Sequence, residues 1–436
     1  MIFHSNFAAF SKEAFMRAAV IGMGYVGLPL AVEIALADID VVGIDLVKEK
    51  VDAINAGRSY IGDVEPKVLA RLVREGKLSA TIDFSVLKSA DAVIICVPTP
   101  LRKTKDPDIS YIISAVEEVA KYLHKGELII LESTTYPGTT DECLLPRFKQ
   151  SGLKVGKDFF LVFSPERVDP GNKIFKTKNT PKIIGGITTA CTNAALKFYG
   201  RIFDRVIPVS SSKCAEMVKL LENTFRSVNI GMVNEMALMC DKLGLDVWEV
   251  IDAAATKPFG FMPFYPGPGL GGHCIPIDPH YLSWKLKALN YYAKFIEIAG
   301  EINAGMPEFV VERLNLLLNE EEKPIKGSKI LILGVAYKRD VSDLRESPAL
   351  DVINLLVIRG AKVSYNDPYI PKIGEAGHRM KSVRLTPDVL SSADCVLIVT
   401  NHSCYDFKKI CNSARLVFDT RNATRDVKTR TRIVKL

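Results

Sequence analysis

The chain has 436 residues, of which 48% are hydrophobic and 25% are charged. This length exceeds what one ordinary hydrophobic core supports, so two or three domains are expected, and the composition is typical of a soluble globular protein. The formal net charge of +7 is mildly basic and fits a small anionic substrate. Because no basic run is interleaved with aromatic residues, no nucleic acid partner is expected.

The nine cysteines are scattered and odd in number, and none forms a Cys-x-x-Cys pair. Neither a disulfide scaffold nor a metal site is therefore expected. The N-terminus lacks the layout of a signal peptide, and no apolar run approaches the ~20 residues that would span a bilayer. These features predict a cytoplasmic protein without a membrane partner. The basic segment 428–432 is interpreted as a solvated tail.

A dinucleotide-binding fingerprint follows a short lead-in. Arg17–Ile21 is typical of a buried strand, Gly22–Gly27 has the pattern Gly-x-Gly-x-x-Gly, and Leu28–Leu36 is typical of the helix that this turn opens. The glycines permit a tight turn and a close approach of pyrophosphate to the helix N-terminus. A second strand ends on Asp45, about 18 residues after the last glycine, as the fingerprint requires. The cofactor-binding residues predicted here are Gly22, Gly24, Tyr25, Val26, Gly27, Asp45 and Lys48.

The acid at the end of the second strand bears on the choice of cofactor. Asp45 can accept hydrogen bonds from both ribose hydroxyls and would repel a 2′-phosphate, which favours NAD over NADP. The nearby Lys48 could pair with a 2′-phosphate, so NADP stays open as the alternative cofactor.

Three further apolar runs, at 92–97, 128–131 and 159–163, are typical of parallel strands that are buried on both faces. Ligands of such sheets collect at the carboxyl ends of the strands, so the residues that follow each run are candidates for one site. Taken singly, a threonine in this position is equally well a helix N-cap. The charged segment 102–108 is predicted to be a surface loop over this end. The candidates are Pro98, Thr99, Ser133, Thr134 and Glu166.

The middle of the chain has a helical pattern. A long helix is predicted from Cys214 to about Cys240, a short one within 242–256, and mostly helix over 279–319, with a long amphipathic run after Pro307. Lys219 and Asn223 are four residues apart and so share one helix face. Their alternative interpretation is a solvated lysine and a surface asparagine.

The segment Gly267–Asp278 lies between these helices. Its glycines let the backbone approach a ligand closely, and Cys274 follows them where a nucleophile could stand. Asp278 is four residues further on. The alternative interpretation is a tight turn with an incidental buried thiol.

An α/β pattern resumes after residue 324, with strands predicted at 329–333, 362–365, 395–399 and 416–419. This second, smaller Rossmann-like unit lacks the full glycine pattern, so no dinucleotide is assigned to it. Its basic residues, Lys338 and Arg421 among them, could hold another phosphate-bearing ligand or could be ordinary surface charge. The predicted fold is therefore α/β, with two Rossmann-like doubly wound domains (1–212 and 323–436) joined by a central helical domain (213–322) that carries the cysteine loop.

These residues together permit one particular chemistry. A thiolate is useful when an alcohol is oxidised past the aldehyde, because the thiol adds to the aldehyde and the adduct loses a second hydride to give a thioester. Lys219 and Asn223 could stabilise the oxyanion, and Asp278, Thr134 or Glu166 could position the water that releases the acid. A nearby lysine is one way to lower the pKa of Cys274.

Seven motifs make the chain resemble the UDP-glucose/GDP-mannose dehydrogenase family over nearly its whole length. They are Val20–Pro29, Val97–Pro100, Glu132–Thr134, Ser164–Arg167, Ala215–Asn223, Gly271–Asp278 and Gly334–Asp340. The resemblance implies oxidation of a nucleotide sugar by four electrons with two NAD, and a homodimer or higher homo-oligomer built on the middle helical domain.

The resemblance also implies a role for each site residue. Cys274 is similar to the family nucleophile, Lys219 and Asn223 to its oxyanion-stabilising pair, and Asp278 to the acid that works with the lysine and water. Thr134 and Glu166 match positions of water activation and proton transfer. The implied substrate-binding residues are Glu166, Arg167, Val168, Lys219, Asn223, Arg226, Gly271, Lys338 and Arg421.

The motifs also bear on the sugar. Family members that act on UDP-glucose or GDP-mannose tend to carry Phe-Leu after the Pro-Glu, with another acid soon after, whereas Arg167–Gly171 stands here. A second acid in this loop is therefore not expected. The motifs resemble the branch that acts on UDP-N-acetylhexosamines, which implies UDP-N-acetylglucosamine as substrate and a uronate for surface polysaccharide as product. UDP-N-acetylmannosamine and UDP-glucose stay open, and a non-catalytic sensor of NAD or nucleotide sugar is the alternative from another class.

Overall fold

The computed structural model describes residues 16–102, 106–169, 172, 174–272, 274–374 and 379–436. By its contacts the chain divides into two compact units, Met1–Leu220 and Leu221–Leu436. The lead-in before Met16, part of the predicted loop 102–108 and two residues of the Arg167–Gly171 segment lie outside the described residues. Within the described ranges, no helix is both long and apolar enough to cross a membrane.

An eight-stranded sheet forms the centre of the first unit. Its strands are β1 Arg17–Ile21, β2 Asp40–Ile44, β3 Leu78–Thr81, β4 Ala92–Ile95, β5 Leu128–Leu131, β6 Phe160–Phe163, β7 Lys182–Gly186 and β8 Val206–Pro208. Their order is β3-β2-β1-β4-β5-β6-β7-β8, and every pairing is parallel except β6 with β7. The strand order reverses between β1 and β4, and the crevice at the carboxyl ends of those two strands is where such sheets bind ligands.

Helices cover both faces of this sheet. They are α1 Gly27–Leu36, α2 Lys48–Asn55, α3 Pro66–Arg74, α4 Ser110–Tyr122, α5 Leu145–Lys149 and α6 Thr189–Tyr199. Alternate residues of β1 point into two different cores, Ala18 and Val20 into one and Ala19 and Ile21 into the other. Because both faces are buried, β4, β5 and β6 are continuously apolar, which is the pattern that predicted them.

The middle of the chain is helical, as predicted. The helices are α7 Ser212–Leu243, α8 Val247–Ala255, α9 Asp278–Lys287 and α10 Lys294–Glu320. The helix that contains the predicted run after Pro307 begins earlier, at Lys294, and passes through this proline. Proline cannot donate to the carbonyl four residues earlier, that of Asn303. This carbonyl faces the glycine segment at Gly269, and Pro307 is buried there, so packing compensates for the missing bond.

A second sheet lies in the C-terminal part of the second unit. Its elements are β9 Lys329–Leu333, α11 Pro348–Ile358, β10 Lys362–Asn366, β11 Lys372–Ile373, β12 Met380–Lys381, α12 Pro387–Ser392, β13 Cys395–Ile398, α13 Phe407–Ser413, β14 Leu416–Asp419 and β15 Arg432–Lys435. Five strands are parallel in the order β10-β9-β13-β14-β15, and β11 pairs with β12 in a separate antiparallel ribbon. Two cores, one on each face, make this sheet doubly wound as well.

The C-terminal segment corrects one prediction. The basic stretch 428–432 is not simply a solvated tail, because Arg432 opens β15, which pairs with β14. Thr431 Oγ1 donates to the Cys411 carbonyl at 2.6 Å, and the Arg432 guanidinium contacts Glu320 and Glu321. This stretch therefore contains the start of a short edge strand that begins with Arg432 and ends with Lys435, and charged residues on edge strands oppose pairing with other chains.

Candidate active site

The glycine turn between β1 and α1 is shaped for close approach of a ligand. Gly22 has a φ of +92°, and a Cβ there would lie 2.5 Å from the Cys96 carbonyl oxygen. Gly27 has no room for a side chain either, since it packs against the Gly22 carbonyl. A Cβ on Gly24, by contrast, would meet no atom of the described chain within 4 Å, so the turn is open on that side. Tyr25 is exposed and Val26 partly buried beside it. This cradle at a helix N-terminus fits a pyrophosphate.

Asp45 follows β2 directly and is only 8% exposed. Its carboxylate accepts hydrogen bonds from the amides of Met23 and Val47 at 3.0 and 2.9 Å, which ties it to the glycine turn. Lys50 pairs with it at 3.1 Å. Lys48, which the sequence suggested as the neighbouring lysine, instead contacts the Asp52 carboxylate at 2.7 Å on the exposed side of α2. The lysine beside the candidate ribose acid is thus Lys50.

The ends of β4 and β5 bring the next candidates to the same edge of the sheet. Ser133 Oγ donates to the Val97 carbonyl at 2.8 Å and so ties the two strand ends together. Thr99 is buried, whereas Pro98 is exposed and Thr134 is partly buried. These residues lie at the carboxyl ends of β4 and β5, as the sequence predicted, and β4 borders the point where the strand order reverses.

Glu166 follows β6 and is held from several sides. Its carboxylate accepts the amides of Arg167 and Val168 at 2.7 and 2.6 Å. Lys219 Nζ donates to its backbone carbonyl at 2.6 Å, so the structure brings these two predicted residues together. Burial opposes ionisation of this side chain, but Lys182 and the two amides hold the pKa of Glu166 below its ordinary value.

Sequence reasoning missed several residues that shape this part of the first unit. Tyr60 donates to the Met23 carbonyl at 2.6 Å, and Glu216 accepts from the Thr140 amide at 2.9 Å and the Gly138 amide at 2.5 Å. Lys182 pairs with Glu132 at 2.9 Å beneath the Glu166 loop. The sequence held one signal for Lys182, a lysine that opens the apolar run Lys182–Gly186. A charge at the start of a buried strand needs a buried partner.

The second unit places three predicted residues in one cluster. Asn223 Nδ2 donates to the Asp278 carboxylate at 2.5 Å, and both side chains are buried. Cys274 lies in the turn that leads into α9, and its carbonyl accepts the Asp278 amide at 2.8 Å. Its side chain is exposed, not buried as the alternative interpretation had it.

The glycines before Cys274 allow the loop to pack tightly within the second unit. A Cβ on Gly271 would lie 2.6 Å from Tyr337 Cβ, and one on Gly272, where φ is +83°, would lie 2.7 Å from the Tyr337 ring. The start of the loop is fixed by a buried amide pair. Gly267 N donates to Asn234 Oδ1 at 2.9 Å, and Asn234 Nδ2 donates to Asn303 Oδ1 at 2.8 Å. This pair anchors the cysteine loop to α7 and α10.

The remaining substrate candidates also lie in the second unit. Lys338 is partly buried in the loop after β9, and Arg421 follows β14, so both stand at the carboxyl edge of the second sheet. Arg421 Nε donates to the Val399 carbonyl at 2.8 Å, and burial lowers the pKa of its guanidinium to about 10. Its guanidinium also packs against Gly267. A largely buried cation at this edge suits an anionic ligand. Arg226 is exposed on α7.

The first unit defines the class of protein. A doubly wound, mostly parallel sheet with an open glycine turn and an acid at the end of its second strand is the dinucleotide-binding fold of NAD-dependent dehydrogenases. The observed turn fits that cofactor, because Gly24 leaves space above the helix N-terminus and Asp45 stands at the end of β2.

Comparison with known proteins identifies the family. Three models of the UDP-glucose/GDP-mannose dehydrogenase family match in succession: the NAD-binding domain over residues 16–203, the central domain over 213–305 and the UDP-binding domain over 331–426. The chain belongs to this family.

Individual relatives are similar to this protein over almost the whole chain. The chain is 37% identical to a UDP-N-acetyl-D-mannosamine dehydrogenase of Methanococcus maripaludis, over 93% of this chain and 92% of the relative. It is 34% identical to a UDP-N-acetyl-D-glucosamine 6-dehydrogenase of Pseudomonas aeruginosa, over 91% and 92%. A solved UDP-N-acetylmannosamine dehydrogenase from Pyrococcus horikoshii superposes with a TM-score of 0.88 at 35% identity, covering 96% of this chain and 99% of that one.

These findings confirm the predicted fold class, family and cofactor. The chain is an NAD-dependent nucleotide-sugar dehydrogenase with a C-terminal domain of the UDP-binding type. The domain boundaries after 212 and 322, and the roles of the single site residues, stay predictions.

Proposed function

We propose that this chain oxidises the C6 hydroxyl of a UDP-N-acetylhexosamine to the carboxylate in a four-electron reaction that passes through Cys274. The observation that carries the proposal is the cluster in the second unit. An exposed Cys274 lies in the turn that leads into α9, and its carbonyl accepts the amide of Asp278, whose buried carboxylate is hydrogen-bonded to Asn223. A protein that only senses NAD or a nucleotide sugar has no need of a nucleophile placed in this way.

The chemistry proceeds in three balanced steps. The alcohol first loses a hydride and a proton to give the aldehyde. The Cys274 thiolate then adds to the aldehyde carbon, and this thiohemiacetal loses a second hydride to leave a thioester. Water finally cleaves the thioester and restores the thiol. The two hydrides would be accepted by two molecules of NAD, one for each oxidation, so one sugar would yield two NADH and one carboxylate.

Each proposed residue has a role in these steps. Lys219 and Asn223, one turn apart on α7, stabilise the developing oxyanion. Glu166 and Thr134 guide water and protons, and Asp278 works with Asn223, to which it is hydrogen-bonded. The glycine turn and Asp45 hold the cofactor.

The substrate-binding set completes the proposed site. Glu166 and Lys219 serve in it besides their catalytic roles. Its other members are Arg167, Val168, Arg226, Gly271, Lys338 and Arg421.

The sugar is the finer part of the proposal. The sequence motifs favour UDP-N-acetylglucosamine, whereas relatives of similar identity are named for either that sugar or its C2 epimer, N-acetylmannosamine. We place UDP-N-acetylmannosamine first, because relatives named for it reach 37% identity, against 34% for the relative named for UDP-N-acetylglucosamine. UDP-N-acetylglucosamine is the second candidate and UDP-glucose the third.

The experiment compares the initial rate of NADH formation with each of the three UDP-sugars at equal concentration. The proposal expects kcat/KM to be highest for one N-acetylhexosamine and much lower for UDP-glucose. A preference for UDP-glucose would contradict the N-acetylhexosamine class. The absence of NADH with all three sugars, in a chain that binds NAD, would favour the sensor.

A further inference from the structure

Lys182 opens β7 and has only 4% of its side chain exposed. A buried ammonium is costly unless it is paired, and Lys182 has two carboxylate neighbours. Its Nζ lies 2.9 Å from Glu132 Oε1 and 3.6 Å from Glu166 Oε2. The rings of Tyr199 and Phe203 flank it at 5.5 and 5.2 Å, within the range of cation–π contacts. One positive charge therefore lies between two buried acids.

The loop that carries Glu166 is fastened to the start of β7 by two further contacts. Arg167 Nη1 donates to the Pro181 carbonyl at 2.6 Å. Ser164 Oγ donates to the Ile183 carbonyl at 2.8 Å. With the Lys182–Glu166 ion pair, three links thus join residues 164–167 to residues 181–183. Of these three links, only the ion pair contacts the Glu166 carboxylate.

The two acids around Lys182 have different surroundings. Glu166 accepts two backbone amides, which favour its charged form. Glu132 accepts the Tyr199 hydroxyl at Oε1, but its buried Oε2 has no hydrogen-bond partner in the part of the chain that the structure describes. The charged form of Glu132 therefore has one buried oxygen that no donor stabilises, which disfavours the carboxylate. Burial accordingly raises the pKa of Glu132, whereas the pKa of Glu166 is held low.

We propose that Lys182 is a positioning residue for the reaction: its buried ammonium holds the Glu166 carboxylate in place and ionised, with Glu132 as its neutral partner. This inference rests on the proposed function, in which Glu166 handles water and protons. It gives Lys182 and Glu132, which have no place in the catalytic set, a shared task. Two buried acids whose surroundings drive their protonation apart form the pattern expected of an acid–base pair.

Other titratable groups in the first unit also face this cluster. The Cys96 thiol lies near both acids and Lys182, and burial raises its pKa well above the ordinary value, so it adds no charge at neutral pH. Burial likewise raises the pKa of Tyr199 and keeps its hydroxyl neutral. Lys219 contacts the Glu166 backbone carbonyl, so it adds positive charge. Arg167 is directed at the Pro181 carbonyl. The cations other than Lys182 therefore persist in a Lys182 variant, and the change in Glu166 reports on Lys182 alone.

The test measures the protonation of Glu166 directly in the full chain. Glutamate labelled with ¹³C at the side-chain carboxyl is titrated by NMR, and the Glu166 signal is assigned by its loss in Glu166→Gln. In Lys182→Met we expect the titration midpoint of Glu166 to rise by about one pH unit or more, the usual effect of losing an opposite charge at this distance. Lys182→Arg should restore it. Lys178→Met, which removes an exposed lysine from the same unit, should leave it unchanged.

Turnover supplies the second readout. In Lys182→Met, the acidic limb of the kcat–pH profile should shift to higher pH together with the Glu166 midpoint. In Lys182→Arg it should return to the wild-type pH. Because the NMR titration needs no substrate, failure of the proposed oxidation leaves it interpretable. An unchanged Glu166 midpoint in folded Lys182→Met overturns the inference even if the enzyme makes acid.

A second variant keeps the inference testable if Lys182→Met does not fold. Glu132→Gln replaces the acid by a neutral group of the same shape. If Glu132 is already protonated, the Glu166 midpoint should stay where it is in wild type. A clear fall of that midpoint would show that Glu132 carries charge, and it would contradict the inference.

Discussion

At the scale of single residues, Cys274 is the side chain on which the proposed second oxidation depends. Cys274→Ser should lower formation of the uronate by at least ~10³-fold, because an alcohol cannot replace the thiolate as nucleophile and leaving group. NAD affinity should not change, since the cofactor turn lies in the first unit. Chromatographic quantitation of the acid, with NAD titration by fluorescence, checks both.

The matched control for this variant is Cys404→Ser, which removes the other exposed cysteine of the second unit. It should keep full activity. Uronate production at wild-type rate by Cys274→Ser would remove Cys274 from the mechanism.

Asp45 is the residue that selects and holds the cofactor in this account. Asp45→Ala should weaken NAD binding by about 10- to 100-fold, the usual effect of losing hydrogen bonds to a charged group. Part of that loss arises in the protein, because the Met23 amide loses its acceptor as well. Isothermal titration of NAD measures the change. Asp52→Ala, at the exposed end of the Lys48 pair, serves as control, and an unaltered NAD affinity in Asp45→Ala would contradict the assignment.

Glu127 precedes β5, away from the proposed catalytic residues, and should make the stability of the fold depend on pH. Its side chain is buried, its Oε2 accepts the His124 amide at 3.2 Å, and the His124 ring lies 3.5 Å away. Burial raises the pKa of Glu127 from 4.5 to about 8. The folded chain therefore binds this proton more tightly than the unfolded chain does. Its stabilising contribution is complete below pH 4.5 and is lost as the pH rises to about 8.

Glu127→Gln should remove that dependence on pH. Relative to wild type, its free energy of unfolding should rise between pH 5 and pH 9 by on the order of 3 kcal/mol. Urea unfolding at both pH values measures it. Glu117→Gln, an exposed glutamate on α4, should show no such trend. A constant difference between Glu127→Gln and wild type would mean that Glu127 is ionised in the fold.

At the scale of elements, α7 exposes a stripe of large apolar side chains. The stripe consists of Leu221, Phe225, Met232, Met236, Met239 and Leu243, which are between 37% and 71% exposed. Spacings of three, four and seven residues put them on one helix face. An apolar face of this length is normally covered by another surface. It supports the homodimer expected from the sequence.

A charge in the middle of that stripe should disrupt the dimer. Met236→Glu should shift the protein toward monomer in sedimentation velocity, because a carboxylate cannot be buried against an apolar partner surface without a counter-charge. Ile358→Glu, which places the same charge on an exposed apolar residue of α11, should keep the wild-type state. If wild type sediments as a monomer at micromolar concentration, the stripe has another purpose.

The elements also show what the sequence could and could not predict. The β1–turn–α1–β2 unit was predictable because apolar runs, glycines and Asp45 agree at every level. Among the described residues, six strands were missed. β3, β8, β11, β12 and β15 have four residues or fewer, and β7 begins with a charged residue. The predicted helical pattern over 279–319 did not show that α10 is continuous through Pro307, because proline normally ends a helix and only its burial accounts for it here.

The site was predictable only in part. Cys274, Asp278 and Glu166 lie in sequence motifs, so their positions in the chain made them candidates. The partners of Glu166, by contrast, come together through β5, β6 and β7. Spacing along the chain contains no signal for such contacts between strands. Lys50 was missed for a related reason, because only the start of α2 decides which of two nearby lysines faces Asp45.

At the scale of the whole molecule, each of the two sheets has an aspartate at the same position, and the two aspartates have different contacts. Asp367 follows β10 as Asp45 follows β2, and it accepts the Val335 and Ala336 amides at 2.8 and 2.9 Å. The buried His402 covers it, with Nε2 at 3.0 Å from its carboxylate. Burial opposes ionisation of Asp367, but the contact with His402 and the two amides hold the pKa of Asp367 below its ordinary value. Asp367 is thus committed to the loop after β9, and its counterpart in the first sheet is the acid that stands beside an open glycine turn.

The main proposal is that one active site oxidises the C6 hydroxyl of a nucleotide sugar twice in succession. The most direct test is the amount of NADH released from a limiting, weighed quantity of the preferred UDP-N-acetylhexosamine with excess NAD. The account predicts two NADH per sugar, with the uronate as the product and no aldehyde accumulating. One NADH per sugar, with the aldehyde as the product, would contradict it and leave Cys274 without a chemical role.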